Sequence, residues 1–239
     1  MKKVLIAAPV QDRLWILKYY FKAIEKLDYN HKNLGLFFVL NECDKSVVDY
    51  FKIKKTEFEE KFREFEFIEI NIGMPKDSRT NIRRKRTYSW LAILRNIIIE
   101  YFLNKDYNYL FMVDSDIILK PESLKKILGY NKDIISIAIA NDRGRGYATN
   151  VLVKCGLSYK HVPLKDIPER YPMKCDLTGA CILIKREVLE KHCRYRRTDI
   201  GEDLGFCEEA RDRGFTLWAI KGFAEHIMEP FQLSSLENL

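Results

Sequence analysis

The chain of 239 residues lacks long apolar segments. Its longest apolar runs, such as 134–140, fall far short of the roughly 20 residues that a membrane-spanning helix needs, so we expect no transmembrane segment. The basic start and the apolar run 4–8 imitate a secretory leader, but Pro9 and the charged pair 12–13 cut that run short. We therefore expect a cytoplasmic protein, with a basic surface that allows peripheral contact with an anionic surface.

Cysteine pairs at metal-binding or redox spacing are also absent. The six cysteines are widely spaced, with no C-x-x-C pair, and only four histidines accompany them. This pattern argues against a structural zinc site or a disulfide framework and favours reduced thiols. Acidic residues are fewer than basic ones, 34 against 41, and the net charge of +7 attracts phosphate-bearing molecules, anionic lipid and nucleic acid alike.

The composition is otherwise that of a globular protein, with 47% apolar and 13% aromatic residues. Apolar runs of strand length alternate with helical periodicity, which predicts an α/β domain with a central, mainly parallel sheet. We find no repeat and no linker, so we expect one domain over 1–239. We predict strands at 4–8, 34–40, 65–72, 109–113, 133–140, 181–184 and 215–220, and helices at 15–27, 90–101, 186–191 and 203–213, with a short helix opening at 121–123.

Two loops interrupt this alternation. Residues 73–86 are rich in Arg and Lys and are punctuated by Gly and Pro, which predicts a mobile cationic loop. Residues 142–146 predict a second flexible loop. The first could close over an anionic ligand or simply be solvated; its cations are Arg79, Arg83, Arg84, Lys85 and Arg86.

Two carboxylates follow the predicted strand 109–113. Asp114 and Asp116 flank Ser115, and in an extended segment both side chains would project to the same side. Such a pair can share Mg²⁺ or Mn²⁺, which complete their coordination with substrate phosphates, at the strand end where α/β sheets bind ligands. The alternative is a polar turn that caps the next segment.

The Asp-x-Asp motif resembles that of GT-A-fold glycosyltransferases, in which the pair holds a divalent cation against the diphosphate of a nucleotide-sugar donor. Other segments resemble the same family, in the same order, over almost the whole chain. These are Arg95-Asn96 on a helix, the glycine loop around Gly179, the acidic motif 201–206 and His226 after the last strand. The same residues resemble the yeast mannan-polymerase type within this fold, which suggests a mannosyl donor.

The resemblance implies a Rossmann-like GT-A domain with a nucleotide-binding half, 1–120, and an acceptor-side half, 121–239. It implies Mn²⁺ or Mg²⁺ held by Asp114, Asp116 and His226, and a UDP- or GDP-sugar donor contacted by Pro9, Val10, Glu42, Arg95, Asp114, Ser115 and Gly179.

The same resemblance makes Asp203 the candidate general base, with Glu202 beside it, and implies inverting transfer. Retaining transfer stays open if Asp203 only orients the acceptor. The acceptor is a glycan, a lipid-linked sugar or another anionic molecule with a hydroxyl group, and nucleic acid is not excluded.

Simpler interpretations exist for single residues: a surface charge for Arg95, a bulge for Gly179 and helix capping for Asp203. Two other functions also compete. Asp114-Ser115-Asp116 after a strand imitates the nucleophile motif of a phosphatase or phosphotransferase, and the basic segments would suit a non-catalytic nucleic-acid-binding module.

Overall fold

The computed structural model describes residues 1–73 and 85–236 as a series of strands and helices. The strands are β1 Val4–Val10, β2 Leu34–Asn41, β3 Glu64–Ile70, β4 Tyr109–Val113, β5 Ile117–Leu119, β6 Ile134–Ile137, β7 Leu152–Cys155, β8 Ser158–His161, β9 Met173–Cys175, β10 Cys181–Lys185, β11 Leu217–Ile220 and β12 Ala224–His226. The helices are α1 Leu14–Glu25, α2 Lys45–Phe58, α3 Lys85–Leu103, α4 Ser123–Gly129, α5 Arg186–Glu190 and α6 Glu202–Asp212.

Eight strands form the central sheet, in the order β3-β2-β1-β4-β10-β6-β11-β9. Strands β3, β2, β1 and β4 are parallel, as are β6 and β11, whereas β10 and β9 run antiparallel to their neighbours. The predicted mainly parallel α/β sheet is therefore confirmed. Because β1, β2 and β4 run the same way, the loops that follow them leave the sheet at one edge.

Helices cover both faces of this sheet. In β1, Val4, Ile6 and Ala8 pack in one apolar cluster with side chains of α1, α2 and α4. Leu5 and Ala7 point to the other face, into a cluster formed with α3, α5 and α6. Burial on both faces explains why β1 is a continuous apolar run rather than an alternating one.

The predicted strands and helices are found, with shifted ends, but the helix α2 and several short strands were missed. Residues 133–140 form a strand only over Ile134–Ile137, and α2, β5, β7, β8, β9 and β12 were not predicted. Strands of three or four residues carry too little periodicity to stand out. Lys85 and Arg86, expected in the cationic loop, begin α3, and the loop's other cations lie outside the described residues.

None of the helices in 1–73 and 85–236 is long and apolar enough to cross a membrane. The division into halves at residue 120 stays a prediction.

Candidate active site

The two carboxylates of the Asp-x-Asp motif lie in a turn and not in an extended segment. Strand β4 ends at Val113, and the backbone N–H of Ile117 donates to the carbonyl oxygen of Asp114 at 2.9 Å. This bond closes a tight turn before β5, so the expectation that both carboxylates point to the same side of a strand is wrong. The turn directs Asp114 and Asp116 to different partners.

The pairing of β5 with β12 in a two-stranded sheet brings His226 to Asp116. The two strands are antiparallel, with His226 opposite Ile117, the residue that follows Asp116. Nε2 of His226 consequently lies 3.5 Å from Oδ2 of Asp116, and the N–H of Ile227 donates to the carbonyl oxygen of Asp116 at 2.9 Å. Two side chains 110 positions apart in the sequence thus meet at one point.

The other ring nitrogen of His226 fixes which atom faces the carboxylate. Nδ1 lies 3.2 Å from the carbonyl oxygen of Ala140 and 3.1 Å from Oδ1 of Asn141. Because both oxygens are acceptors, Nδ1 carries the proton and donates it. In the neutral ring, Nε2 therefore presents its lone pair to the carboxylate, and either a proton on Nε2 or a metal cation between the two groups makes this contact favourable.

The charges at this pair are strongly coupled. Burial disfavours the imidazolium, but the hydrogen bond and charge of Asp116 outweigh burial and raise the pKa of His226. Burial also opposes ionisation of Asp116, yet His226, and after it Arg13, lower the pKa of Asp116 to about 2. Asp116 is therefore an anion at neutral pH.

Arg13 is a residue of this site that the sequence analysis missed. Its NH1 donates to Oδ2 of Asp116 at 2.5 Å, and its side chain is 39% exposed. It sits at the N-cap position of α1, directly after the β1 loop. The sequence analysis treated Arg13 only as a charge that ends the first apolar run. Its position directly after the first strand of a parallel sheet could have indicated a role in the site.

Arg95 of α3 is a buried cation among acidic groups. It is 3% exposed, its NH2 lies 3.0 Å from Oδ1 of Asp114 and its Nε lies 3.4 Å from Oε1 of Glu202. Burial alone would lower the pKa of Arg95, but Asp114, followed by Asp203, Tyr195 and Glu202, raises it well above its ordinary value. The interpretation of Arg95 as a surface charge is wrong.

Asp203 lies in the first turn of α6, against Gly179. A Cβ atom added to Gly179 would lie 2.2 Å from Oδ2 of Asp203, so any other residue here would force this carboxylate or the loop to move. The next residue, Ala180, accepts a hydrogen bond from the N–H of Asp114 at 2.8 Å. The Gly179 loop therefore joins Asp203 to the Asp-x-Asp turn. Glu202, the residue before Asp203, is only 1% exposed.

Asn150 braces the Gly179 loop and was also missed. Its side chain is buried, and its amide donates to the carbonyl oxygens of Ile137 at 3.0 Å and Gly179 at 2.9 Å. Its Oδ1 accepts from the N–H of Ile139 at 2.9 Å. An isolated asparagine in a loop gave no sequence signal of this role.

A cleft of about 110 Å³ opens between the β1 loop, α3 and the Asp-x-Asp turn. The predicted donor-binding residue Glu42 does not line it; its Oε1 accepts from the N–H of Gly73 at 3.0 Å. Gly179 is not part of the lining either. The lining residues are Pro9, Val10, Gln11, Arg13, Leu91, Leu94, Arg95, Asp114, Ser115 and Asp116.

The side chains at this point could bind a divalent cation, but they do not surround it. Over 1–73 and 85–236 there is no group of three His, Cys, Asp or Glu side chains arranged as a metal site. Asp116 and His226 form a pair, and Asp114 contacts Arg95 instead. An ionised oxygen beside an imidazole nitrogen fits Mn²⁺ or Mg²⁺ that takes its other ligands from a phosphate-bearing substrate.

A protein-family model describes most of the chain. The Anp1 model matches residues 1–153. The chain belongs to the Anp1 family. This is a family of GT-A mannosyltransferases, in agreement with the resemblance that the motifs showed. No curated protein sequence matches it.

Solved structures show the fold of the Anp1 chain at low sequence identity. It is similar to TarS of S. aureus, with a TM-score of 0.63 and 11% identity over 98% of this chain and 38% of TarS. For the mannosyltransferase PcManGT of Pyrobaculum calidifontis, in complex with GDP-Man and Mn²⁺, the TM-score is 0.61 at 12% identity, over 96% of this chain and 58% of PcManGT. For GalNAc-T7, with UDP, GalNAc and Mn²⁺, the TM-score is 0.63 at 12% identity, over 96% of this chain and 44% of GalNAc-T7. The chain therefore spans less than two thirds of each.

Proposed function

We propose that this Anp1 chain transfers a mannosyl residue from a nucleoside-diphosphate sugar, GDP-mannose first, to an acceptor hydroxyl. The observation that carries the proposal is the contact of His226 with Asp116, a residue that lines the same cleft as the loop after β1. Support for the donor comes from the family and from PcManGT, whose structure holds GDP-Man and Mn²⁺. A UDP-sugar remains the second donor to test, since TarS is known in complex with UDP-GlcNAc.

Asp116 and His226 would hold the divalent cation. When bound, the cation neutralises the diphosphate that leaves the sugar. Asp116 is ionised, and the carbonyl oxygens on Nδ1 of His226 keep its Nε2 turned toward the site. Imidazole is a softer ligand than carboxylate, which favours Mn²⁺ over Mg²⁺. Asp114 would not bind the cation directly, because its carboxylate contacts Arg95.

The side chains around the cleft have distinct tasks in this proposal. Pro9 and Val10 form an apolar wall toward the nucleoside, and Ser115 offers a hydroxyl on the turn. Arg13 has an exposed guanidinium next to Asp116, within reach of the donor's phosphates. Arg95 is too deeply enclosed for a free phosphate contact, so we assign it to positioning the acidic groups.

Asp203 is the proposed general base. Its carboxylate takes the proton of the acceptor hydroxyl while that oxygen bonds to the anomeric carbon. The bond from this carbon to the diphosphate oxygen breaks, and its electron pair leaves with the nucleoside diphosphate, which gives inversion. Glu202 cannot share this task, because it is 1% exposed and lies against Arg95. We therefore assign Glu202 to positioning Arg95.

The test is a transfer assay with purified protein, GDP-mannose or UDP-GlcNAc, and Mn²⁺, Mg²⁺ or a chelator. We expect GDP and mannoside, or slow sugar hydrolysis, only with a divalent cation. Asp203→Asn should lose turnover and keep Mn²⁺-dependent donor binding, whereas Asp212→Asn, an exposed site at the end of the same helix, should keep both. Full turnover in Asp203→Asn would remove that residue as base. Release of inorganic phosphate without sugar transfer would favour the phosphatase alternative.

A further inference from the structure

A second and larger cleft, of about 430 Å³, lies next to the end of β5 and the start of β12. Backbone from Gly144 to Tyr147 forms one wall, and the end of β5 and the start of β12 form another. Its lining holds four cations and one carboxylate. We call it the basic cleft; its charged residues are Lys120, Arg145, Lys165, Lys221 and Glu169.

Most of this positive charge is not neutralised by the chain. In the part of the chain that the structure describes, Lys120, Arg145 and Lys165 form no ion pair. Only Lys221 approaches a carboxylate, at 3.9 Å from Oε1 of Glu169, and its Nζ also donates to the carbonyl oxygen of Lys165 at 3.1 Å. Gathered cations repel one another, and an anion that enters the cleft relieves this repulsion.

The wall that carries Arg145 is braced rather than flexible. The carboxylate of Asp142 accepts from the N–H groups of Gly146 and Tyr147 at 2.7 Å and of Ala148 at 3.0 Å. The carbonyl oxygen of Gly146 accepts from the N–H of Leu164 at 2.8 Å, which ties the loop to the segment of Lys165. Residues 142–146, expected as a flexible loop, thus form a hydrogen-bonded turn. A backbone held in this way loses less entropy when the loop binds a ligand.

The basic cleft and the candidate active site share this loop. Asn141, at its start, contacts Nδ1 of His226, and the loop then runs directly into the cleft wall. Asp116 directly precedes β5 and Lys120 directly follows it. The two residues are four positions apart, so at the rise of a strand their backbones are separated by about 13 Å. One extended molecule of that length could reach both places. Tyr147, 72% exposed, adds an aromatic ring face on the cleft wall.

We propose that the basic cleft binds a phosphate group of the acceptor while the hydroxyl that receives the sugar lies at the candidate active site. This inference rests on the proposed function, whose acceptor it specifies. A phosphate carries a charge of about −1.5 to −2 and three acceptor oxygens, so it matches several Lys and Arg side chains better than a carboxylate does. A glycan phosphate and a polyprenyl phosphate both supply this group.

Binding of defined probes tests the inference. Wild type is titrated with mannose 6-phosphate and with mannose, and separately with phosphatidylcholine vesicles with and without polyprenyl phosphate. The cleft variant is Arg145→Gln with Lys165→Gln. The matched control is Arg143→Gln with Lys160→Gln, which removes two neighbouring cations that do not line the cleft.

We expect the phosphorylated probe to bind at least about 10-fold more weakly to the cleft variant than to wild type or the control. Binding of the sugar phosphate assigns a glycan phosphate, and binding of the vesicles alone assigns a lipid phosphate. Equal affinity in both double variants, or no binding of either probe to wild type, overturns the inference.

Transfer by wild type to uncharged mannobiose is measured separately. If the proposed function is wrong, that transfer is absent even where the phosphorylated probes bind. If only the acceptor inference is wrong, mannobiose is still glycosylated.

Discussion

Gly179→Ala tests whether the position of Asp203 controls catalysis. The new Cβ atom would lie 2.2 Å from Oδ2, 2.3 Å from Cγ and 2.5 Å from Oδ1 of Asp203. Ordinary contacts of this kind begin near 3.4 Å, so the carboxylate has to move by about 1 Å or the loop has to shift by the same amount. The backbone of Gly179 itself is not in the left-handed region, so the substitution acts through this contact alone.

A displacement of about 1 Å at a catalytic group costs about 100-fold in rate. We therefore expect kcat of Gly179→Ala to fall by about that factor, while KM for GDP-mannose stays within about 2-fold because Gly179 does not line the cleft of Asp116. Overpacking also costs about 1–3 kcal/mol of stability. Circular dichroism and thermal melting verify that the variant is folded under the assay conditions.

The matched control is Gly129→Ala. A Cβ atom at Gly129, the last residue of α4, meets nothing within 4 Å, and its φ is not positive. Kinetics of this variant should equal those of wild type, with a small gain in stability from the higher helix propensity of alanine. Wild-type kcat in folded Gly179→Ala would refute the reasoning, because a displaced Asp203 would then make no difference to the rate.

Three further predictions concern the residues around the site. Asp116→Asn and His226→Ala should each weaken Mn²⁺-dependent binding of GDP-mannose by more than about 10-fold, measured by calorimetry with and without chelator. Arg95→Met leaves buried carboxylates without their cation and should cost about 3–5 kcal/mol in urea unfolding; a loss below about 1 kcal/mol would contradict that role. Asn150→Ala removes three buried hydrogen bonds and should cost about 2 kcal/mol or more, with kcat lowered at unchanged donor binding.

The sheet and the helices around it could be predicted because their apolar patterns are long. Every residue of Tyr109–Val113 and all but Pro9 in Val4–Val10 are buried, and strands were predicted at 109–113 and 4–8. The strand Ala224–His226, which pairs with β5, was missed because it has three residues, all partly exposed. This short strand nevertheless decides where His226 lies, so the sequence could suggest the histidine only through its order in the chain and not through its pairing.

Contacts within the site could be predicted only where the resemblance to GT-A glycosyltransferases brought residues together. Asp116 and His226 were expected at one location, and the structure places them 3.5 Å apart. Arg13 was not expected there, because an arginine before a helix has many possible partners and only the folded β1 loop selects Asp116. Likewise, nothing in the sequence shows that Arg95 would be buried rather than exposed.

The turn at Ser115 explains why two similar carboxylates have different neighbours. An extended segment would have presented both to one cation, but the hydrogen bond from Ile117 to Asp114 turns the chain between them. Asp114 is thereby joined to Arg95, and through Arg95 to the acidic start of α6, where the proposed base lies. Asp116 is joined to His226 and faces the cleft. Because Arg95 lies between Asp114 and Glu202, a change at Asp114 should act mainly on the acceptor side, and a change at Asp116 mainly on the donor side.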